Sequence, residues 1–167
     1  TPAKYSIKDL ETLSNIKSHT IRIWEKRYDL LNPERTDTNI RYYTNEDLKK
    51  LLNISFLNKQ GIKISKIVEM SESEIHQAVQ SHSITESDNE TFIENLIVAM
   101  IDMNEEGFQK VFTASTDHLG FEKAIYEIVF PFFKQIGVMW QVGAINPAQE
   151  HFVSNIVRQK IIGSTEE

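Results

Sequence analysis

The side chains best suited to contact a nucleic acid are concentrated in residues 18–43. One segment carries Arg22, Lys26 and Arg27 at helical spacing, and a later polar segment carries Arg35 and Arg41 on either side of an Asp-Thr-Asn turn. Arginine pairs bidentately with guanine and with phosphate oxygens. The candidate DNA-contacting residues are His19, Thr20, Arg22, Lys26, Arg27, Arg35, Arg41, Tyr42 and Tyr43. The alternative is an ordinary solvated basic face, with Trp24 and Tyr43 in the core.

A second set of chemically capable residues lies near the end of the sequence. Trp140 is followed, after nine residues, by Glu150 and His151. The residues between them are expected to fold back, which would bring the indole and the Glu-His pair to the same end of a helical bundle. A helix N-terminus disfavours an imidazolium, so His151 is expected to stay neutral. The alternative is that Trp140 belongs to the core and that Glu150 and His151 lie on the surface.

Two short helices and a hairpin are predicted to position the first set. Ser6 caps a first helix with apolar residues at 7, 10 and 13, and Ser18 caps a second, whose packing face holds Ile21, Trp24 and Tyr28. Residues 35–43 form two short extended pieces around a polar turn. A third helix, with Thr44 and Asp47 as a capping box, is expected to cover the first two. The pattern predicts a winged helix-turn-helix domain over residues 1–75.

Residues 76–89 are polar and rich in serine, which indicates a connector. Ser71 and Glu74 can cap a short helix that reaches about Val79. No sustained apolar heptad follows, so a coiled coil is not expected here. His76 and His82 could be ligands, but histidines in a polar connector are usually solvated.

Helical periodicity returns at about residue 90 and continues to residue 167, which predicts a four-helix bundle. Asn146 and Pro147, with Gln149, open the last helix as N-cap, N1 and N3. Pro131 is expected to bend the third helix. The apolar stripes are Phe92, Leu96, Ala99, Met100 and Met103; Phe108, Val111, Phe112, Ser115 and Leu119; Phe121, Ile125, Ile128, Val129, Phe132, Phe133, Ile136 and Trp140; and Phe152, Ile156, Val157 and Ile161. The predicted fold class is all-α, with a small β-hairpin wing.

Charge divides the chain in the same way. Residues 1–70 carry 13 Lys and Arg against 9 Asp and Glu, whereas residues 71–167 carry 5 against 15. Only the first part suits a phosphate backbone. The absence of Cys fits a reducing compartment and excludes thiolate metal sites and catalytic thiols. With no apolar run of about 18 residues and no signal-peptide pattern, a cytoplasmic protein without membrane contact is expected.

The N-terminal motifs resemble those of the MerR family of transcription regulators over residues 4–75. They are Tyr5-Ser6-Ile7, Thr20-Ile21-Arg22-Ile23-Trp24-Glu25, Leu30-Leu31-x-Pro33-x-Arg35-Thr36 and Arg41-x-Tyr43. The resemblance implies that the second helix reads the major groove of double-stranded DNA and that the wing clamps the backbone. It implicates Thr20, Arg22, Arg27, Arg35, Arg41 and Tyr42 or Tyr43. Asn15 and Asp29 stand where the family commonly has Gly.

The Trp-x9-Glu-His spacing resembles the helical cap of cobalamin-dependent MerR photoreceptors of the CarH and CarA type. That resemblance implies that Trp140, Glu150 and His151 face adenosylcobalamin. Such regulators also carry a Rossmann-like domain with an Asp-x-His-x-x-Gly motif, which this sequence lacks. The chain is therefore either a piece of a longer protein or a natural form without that domain. We expect that this chain alone holds no cofactor tightly and binds no metal ion.

Together these patterns predict a transcription regulator that is not an enzyme, and is a repressor by resemblance. The resemblance further implies self-association on DNA in the dark and release when light breaks the cobalt-carbon bond. One alternative is a regulator whose bundle binds a protein partner or another small molecule. A second is a corrinoid-dependent methyl-transfer module, which the basic N-terminal half and the lack of a visible nucleophile disfavour.

Overall fold

The computed structural model describes residues 3–82 and 87–166, with side chains described as far as Gly163. The chain divides into two compact units, Thr1–Ser83 and Ile84–Glu167. The elements of the first unit are α1 (Ile7–Ser14), α2 (Ser18–Tyr28), β1 (Glu34–Arg35), β2 (Arg41–Tyr42), α3 (Asn45–Lys59), α4 (Ile64–Ile67) and α5 (Glu72–Ser81). Those of the second are α6 (Asn89–Ile101), α7 (Glu105–Leu119), α8 (Phe121–Ala124), a π-helical stretch (Ile125–Val129), α9 (Phe130–Gln141) and α10 (Pro147–Glu166). The predicted class, all-α with a two-stranded wing, is confirmed.

The helix-turn-helix of the first unit begins as the capping residues predict. Ser6 and Asp9 form a capping box at α1, and Thr44 forms one with Asp47 at α3. Asn15 closes α1 in the left-handed conformation, with φ of 63°, so it replaces a turn glycine as expected.

The predicted N-cap of α2 is wrong. Ser18 is the first residue of the helix and Lys17 is its N-cap, without a side-chain hydrogen bond. The backbone N–H of Ser18 instead donates to the carboxylate of Glu11 on α1, at 2.8 Å. This hydrogen bond holds the pKa of Glu11 below its ordinary value. A carboxylate from the preceding helix thus does the capping that we assigned to the Ser18 hydroxyl.

The wing is joined to the start of the chain by a pair of backbone hydrogen bonds. The N–H groups of Tyr5 and Tyr43 each donate to the carbonyl of the other, at 2.9 and 2.8 Å. Both side chains are fully buried, and the Tyr5 hydroxyl donates to Asn45 at 2.6 Å. Around them lies the apolar core of the unit, formed by Leu10, Leu13, Ile21, Leu30, Leu31, Leu48, Leu51, Leu52, Phe56 and Leu57. The end of the hairpin at Tyr43 is therefore held in position by Tyr5 and by the core.

Helix α5 packs against α3 and contains the start of the expected connector. His76 is exposed, as expected, but the prediction of a solvated His82 is wrong. The Nδ1 atom of His82 lies 2.6 Å from the carbonyl oxygen of Ala78, and its ring packs edge-on against Phe56. This carbonyl lies in the last turn of α5, where it also accepts a hydrogen bond from the Ser81 hydroxyl at 2.9 Å. The remaining connector residues 83–86 lie outside the described part of the chain.

The second unit is the predicted four-helix bundle, because α8, the π-helical stretch and α9 follow one another without a break. Asn146 and Gln149 cap α10 by reciprocal hydrogen bonds at 2.8 and 3.1 Å, as predicted. The core comprises Phe92, Leu96, Ile97, Met100, Phe108, Phe112, Ile128, Val129, Phe132, Met139, Val153, Ile156 and Val157.

Four residues predicted to be in the stripes are exposed instead: Met103, Phe133, Trp140 and Ile161. Helix α6 ends at Ile101, and Met103 has a left-handed backbone that breaks the helical pattern. On α10 the last buried side chain of the stripe is Val157, and Ile161, one turn later, is exposed. The ammonium of the half-buried Lys160 donates to Thr113 at 3.3 Å beside it.

The third bundle helix widens just before Pro131. Proline has no N–H to donate and its ring crowds the carbonyl four residues earlier. The π-helical stretch Ile125–Val129 ends where this conflict arises, and the N–H of Phe130 donates to the carbonyl of Ile125. The helix thus accommodates Pro131 by a wider turn.

Alkaline pH should destabilise the first unit. Burial raises the pKa of the Tyr5 and Tyr43 phenols above their ordinary value of 10.0. The stability that they contribute is therefore complete below about pH 10 and is lost as the pH rises through their raised pKa values. The parent and the double variant Tyr5→Phe/Tyr43→Phe are compared in a Trp140→Phe background, so that Trp24 fluorescence reports the melting temperature. Between about pH 8 and about pH 10.5 we expect the melting temperature of the double variant to fall less than that of the parent. An equal fall in both would contradict this.

Candidate nucleic-acid interface and bundle pocket

Helix α2 has a buried face and a basic face. Ile21 is fully buried and Trp24 and Tyr28 are half-buried. The side chains predicted to contact DNA lie on the other side: His19, Arg22, Lys26 and Arg27 are exposed, and Thr20 is half-buried. A helix that is held by one face and presents cationic donors on the other has the form needed to enter a major groove.

The wing presents a second set of cationic and polar groups. Strands β1 and β2 pair antiparallel, with Glu34 opposite Tyr42 and Arg35 opposite Arg41. Arg35 is exposed and its Nη1 donates to the carbonyl of Asn39 at 3.2 Å, across the turn. This guanidinium, with its other donors free to turn outward, lies at the tip of the hairpin.

Tyr42 is half-buried on the same hairpin. Its hydroxyl donates to the carboxylate of Glu34 at 2.6 Å, which raises the pKa of the phenol. The ammonium of Lys4 lies 5.1 Å from the centre of the Tyr42 ring, within the range of a cation–π contact. Lys4 therefore adds a positive charge beside the wing that the sequence pattern did not single out.

Glu25 of α2 joins the helix to the wing. One oxygen of its carboxylate accepts a hydrogen bond from the Tyr43 hydroxyl, and the other lies 3.1 Å from the Nη1 of Arg41. The Glu25 side chain is 8% exposed and that of Arg41 is 42% exposed. Because both carboxylate oxygens are engaged, this contact, which we call the Glu25 clasp, fixes the wing at one position against α2.

Tyr43 lies in the core of the first unit, whereas direct contact with DNA would require an exposed side chain. Its side chain is fully buried and its hydroxyl is used by Glu25, so within the folded unit it does not reach a ligand. This placement fits the alternative of a core residue that positions the basic side chains. The sequence reasoning missed Glu25, although a signal was available: it lies four residues after the buried Ile21, and a carboxylate on a packing face requires a partner.

The bundle of the second unit contains an open pocket of about 250 Å³. It is lined by Met100, Phe133, Ile136, Gly137, Trp140, Ile145, Glu150, Val153 and Ser154. Trp140 is 54% exposed and Phe133 is 38% exposed, so aromatic surface faces solvent at its mouth. The structure thus brings Trp140 and Glu150 to one site, as their spacing suggested. His151 is exposed on α10 and is not among the lining residues.

Comparisons with known proteins match the two units in order. Residues 5–74 match the family model of the MerR HTH family regulatory protein, and residues 92–162 match the family model named B12 binding domain. The chain is 28% identical, over 170 residues, to the HTH-type transcriptional repressor CarH of Myxococcus xanthus, an alignment that covers 95% of this chain and 55% of that protein. The first unit is thus similar to the MerR HTH family, and the chain as a whole is similar to CarH.

Other relatives align over a shorter stretch of the chain. The HTH-type transcriptional regulator MlrA of Escherichia coli (strain K12) is 34% identical over 65 residues, which cover 39% of this chain and 27% of that protein. The MlrA of Salmonella typhimurium (strain LT2) gives the same values. The chain thus spans about half the length of CarH, and the stretch that aligns with MlrA covers about a quarter of MlrA.

Two further findings concern the part of the chain that the structure describes. Within residues 3–82 and 87–166, no helix is both long and apolar enough to cross a bilayer. Over the same described ranges, there is no group of three or more His, Asp or Glu side chains that could hold a metal ion.

Removing the Glu25 carboxylate should destabilise the first unit. In Glu25→Ala the Tyr43 hydroxyl loses its acceptor, and a buried donor without a partner costs about 1–3 kcal/mol. We expect a loss of that size in the free energy of unfolding, measured by urea denaturation with Trp24 fluorescence in a Trp140→Phe background.

Glu46→Ala is the matched control. The Glu46 side chain is on α3, is 76% exposed, and has a carboxylate oxygen 3.9 Å from the ammonium of Lys49. An exposed pair at that distance is worth less than about 1 kcal/mol. If Glu25→Ala costs no more than Glu46→Ala, the Glu25 clasp does not hold the wing.

Proposed function

We propose that this chain is the DNA-binding and cofactor-capping part of a cytoplasmic transcription repressor. It binds double-stranded DNA through α2 and the wing, and adenosylcobalamin through the pocket of the bundle. The observation that carries the proposal is the order of the two units: a basic helix and wing of MerR type precede a bundle whose open pocket contains Trp140 and Glu150.

In this proposal α2 lies in the major groove. Arg22 supplies bidentate donors to a guanine edge, and Lys26 and Arg27 neutralise phosphates, flanked by His19 and Thr20. These side chains are supported by a helix whose other face is packed, so their spacing is set before DNA arrives. Preorganised donors lose less conformational entropy on binding than flexible ones.

The wing contacts the backbone beside the groove. Arg35 and Tyr42 are the residues that we assign to phosphate contact, with Lys4 beside them. Arg41 holds the wing against α2 through its ion pair with Glu25. Because 42% of its side chain is exposed, we propose that it also contacts a phosphate. Tyr43 contributes by positioning Arg41 through their common partner Glu25.

The pocket of the bundle fits one face of a corrinoid. Its exposed aromatic groups, Trp140 and Phe133, would lie against a broad apolar surface, and Glu150 would supply a hydrogen-bond acceptor at the rim. His151, one residue further along α10, would contact the edge of the ligand. When bound, adenosylcobalamin would supply a light-sensitive cobalt-carbon bond.

The size of the pocket argues that this chain alone binds such a cofactor weakly. Pockets that enclose a drug-sized ligand have volumes of about 300–1,000 Å³. The volume here is about 250 Å³, and the ligand is much larger than a drug. The bundle therefore covers part of the cofactor only. Cofactor binding would change how copies of the chain associate, and association would set the affinity for DNA.

A second candidate function is a regulator whose bundle binds a protein or another small molecule. It is favoured by Tyr126 and Phe130, whose rings pack edge-on against each other while they are 62% and 54% exposed, outside the pocket. The named relatives, CarH and the two MlrA proteins, are transcription regulators, which agrees better with a regulatory role than with a methyl-transfer enzyme.

Substitutions on α2 and the wing should weaken DNA binding in different ways. We expect Arg22→Ala to reduce affinity by about 1–3 kcal/mol and to relax base preference at one position. We expect Arg35→Ala to reduce affinity similarly for all sequences and to lower the slope of log K against log salt by about 1. Fluorescence anisotropy with a duplex selected from a random library, at several salt concentrations, measures both.

Arg158→Ala is the matched control, because Arg158 is an exposed arginine on the bundle. It removes the same charge from the other unit and should leave affinity within about twofold and the slope unchanged. The proposed DNA-binding surface is wrong if Arg158→Ala has the same effect as Arg22→Ala.

Trp140→Ala should weaken cobalamin binding by at least about fivefold, since an aromatic contact contributes about 0.5–1.5 kcal/mol beyond its buried area, and the buried area is lost as well. Equilibrium dialysis of the full chain against adenosylcobalamin, read by the absorbance of the corrinoid in the dark, gives the dissociation constant. Tyr126→Ala removes an aromatic ring outside the pocket that is 62% exposed, against 54% for Trp140, and should leave the dissociation constant unchanged. Equal losses in the two variants would place the corrinoid elsewhere.

A further inference from the structure

An isoleucine stands in the centre of the basic face of α2. Ile23 is 46% exposed, while Ile21, two residues earlier and on the opposite side of the helix, is fully buried. The neighbours of Ile23 on the helix surface, three and four residues away, are polar or basic. They are His19, Thr20, Lys26 and Arg27.

Folding does not account for this side chain. A β-branched residue that is 46% exposed gains only part of the free energy of burial, and it lowers helix propensity slightly. Single exposed apolar residues are common on protein surfaces, but this one occupies the point of α2 that a major groove would meet first. The surrounding cations would bring it to the floor of the groove.

The floor of the major groove offers one apolar group, the 5-methyl group of thymine. A β-branched aliphatic side chain can bury that methyl group and cannot pair with the polar edges of the other bases. We propose that Ile23 is a specificity-determining residue that selects an A·T pair by contact with the thymine methyl group. This inference rests on the proposed function, since it requires α2 to bind in the groove.

The inference differs from the role of Arg22. Arginine reads guanine through hydrogen bonds, whereas Ile23 reads thymine through the loss of apolar surface from water. A half-site recognised by both would contain a G·C pair and an A·T pair close together. Neither contact substitutes for the other, so each can be removed separately.

Uracil provides the test, because deoxyuridine pairs like thymidine but lacks the methyl group. A duplex is first selected from a random library by the full chain, and each thymine is then replaced by uracil in turn. We expect one replacement to weaken binding of the wild type by about fourfold, the value for burial of one methyl group. With Ile23→Ala the same replacement should change affinity by less than about 1.5-fold.

Ile40→Ala is the matched control. Ile40 is the other large apolar side chain of the wing and α2 that is clearly exposed, at 62%, and it lies in the turn region of the hairpin. In that variant the fourfold effect of the uracil replacement should persist. Both substitutions are at exposed positions, so circular dichroism should show the same melting temperature within about 2 °C.

Two kinds of result would overturn the inference while DNA binding stands: no replacement affects the wild type, or the sensitive replacement affects Ile23→Ala as strongly as the wild type. The inference is also overturned if the uracil replacement no longer weakens binding in Ile40→Ala, because sensitivity to the methyl group would then not be specific to Ile23. Failure of the wild type to retain any duplex overturns the proposed function itself, and is recognised before any uracil is introduced.

Discussion

The first unit depends on one contact, the engagement of a single carboxylate by two side chains of the wing. Glu25 receives the Tyr43 hydroxyl on one oxygen and the Arg41 guanidinium on the other. A two-stranded hairpin is marginally stable by itself. Its position against α2 therefore comes from this clasp and from the backbone pairing of Tyr43 with Tyr5. The spacing between the basic face of α2 and the arginines of the wing follows from that arrangement.

The clasp also explains why a basic surface contains a buried acid. Glu25 neutralises part of the charge of Arg41 and keeps it at the junction between helix and wing. The remaining cations, on α2 and at the tip of the hairpin, stay available to phosphates. An acid that organises cations in the free protein lowers the entropy lost when they meet DNA.

Local sequence patterns predicted the elements well, because their causes are local. The capping boxes of Ser6 and Thr44 and the Asn146-Pro147 start of α10 each involve residues three apart. The contacts that were missed are distant in sequence: Glu25 meets partners 16 and 18 residues away, and Glu11 caps a helix seven residues later. The exposure of Ile23 and of Trp140 likewise depends on how a helix is rotated in its unit, which periodicity gives only approximately.

The two units have opposite charge and different kinds of surface, and we propose a different ligand for each. The most direct measurement is a chemical-shift titration of the full chain with duplex DNA, followed by nuclear magnetic resonance of the backbone amides. We expect the shifts to be confined to α2, the residues of the wing and the start of the chain near Lys4, with those of α6 to α10 unchanged. Shifts centred on the bundle, with α2 and the wing unchanged, would contradict this proposal.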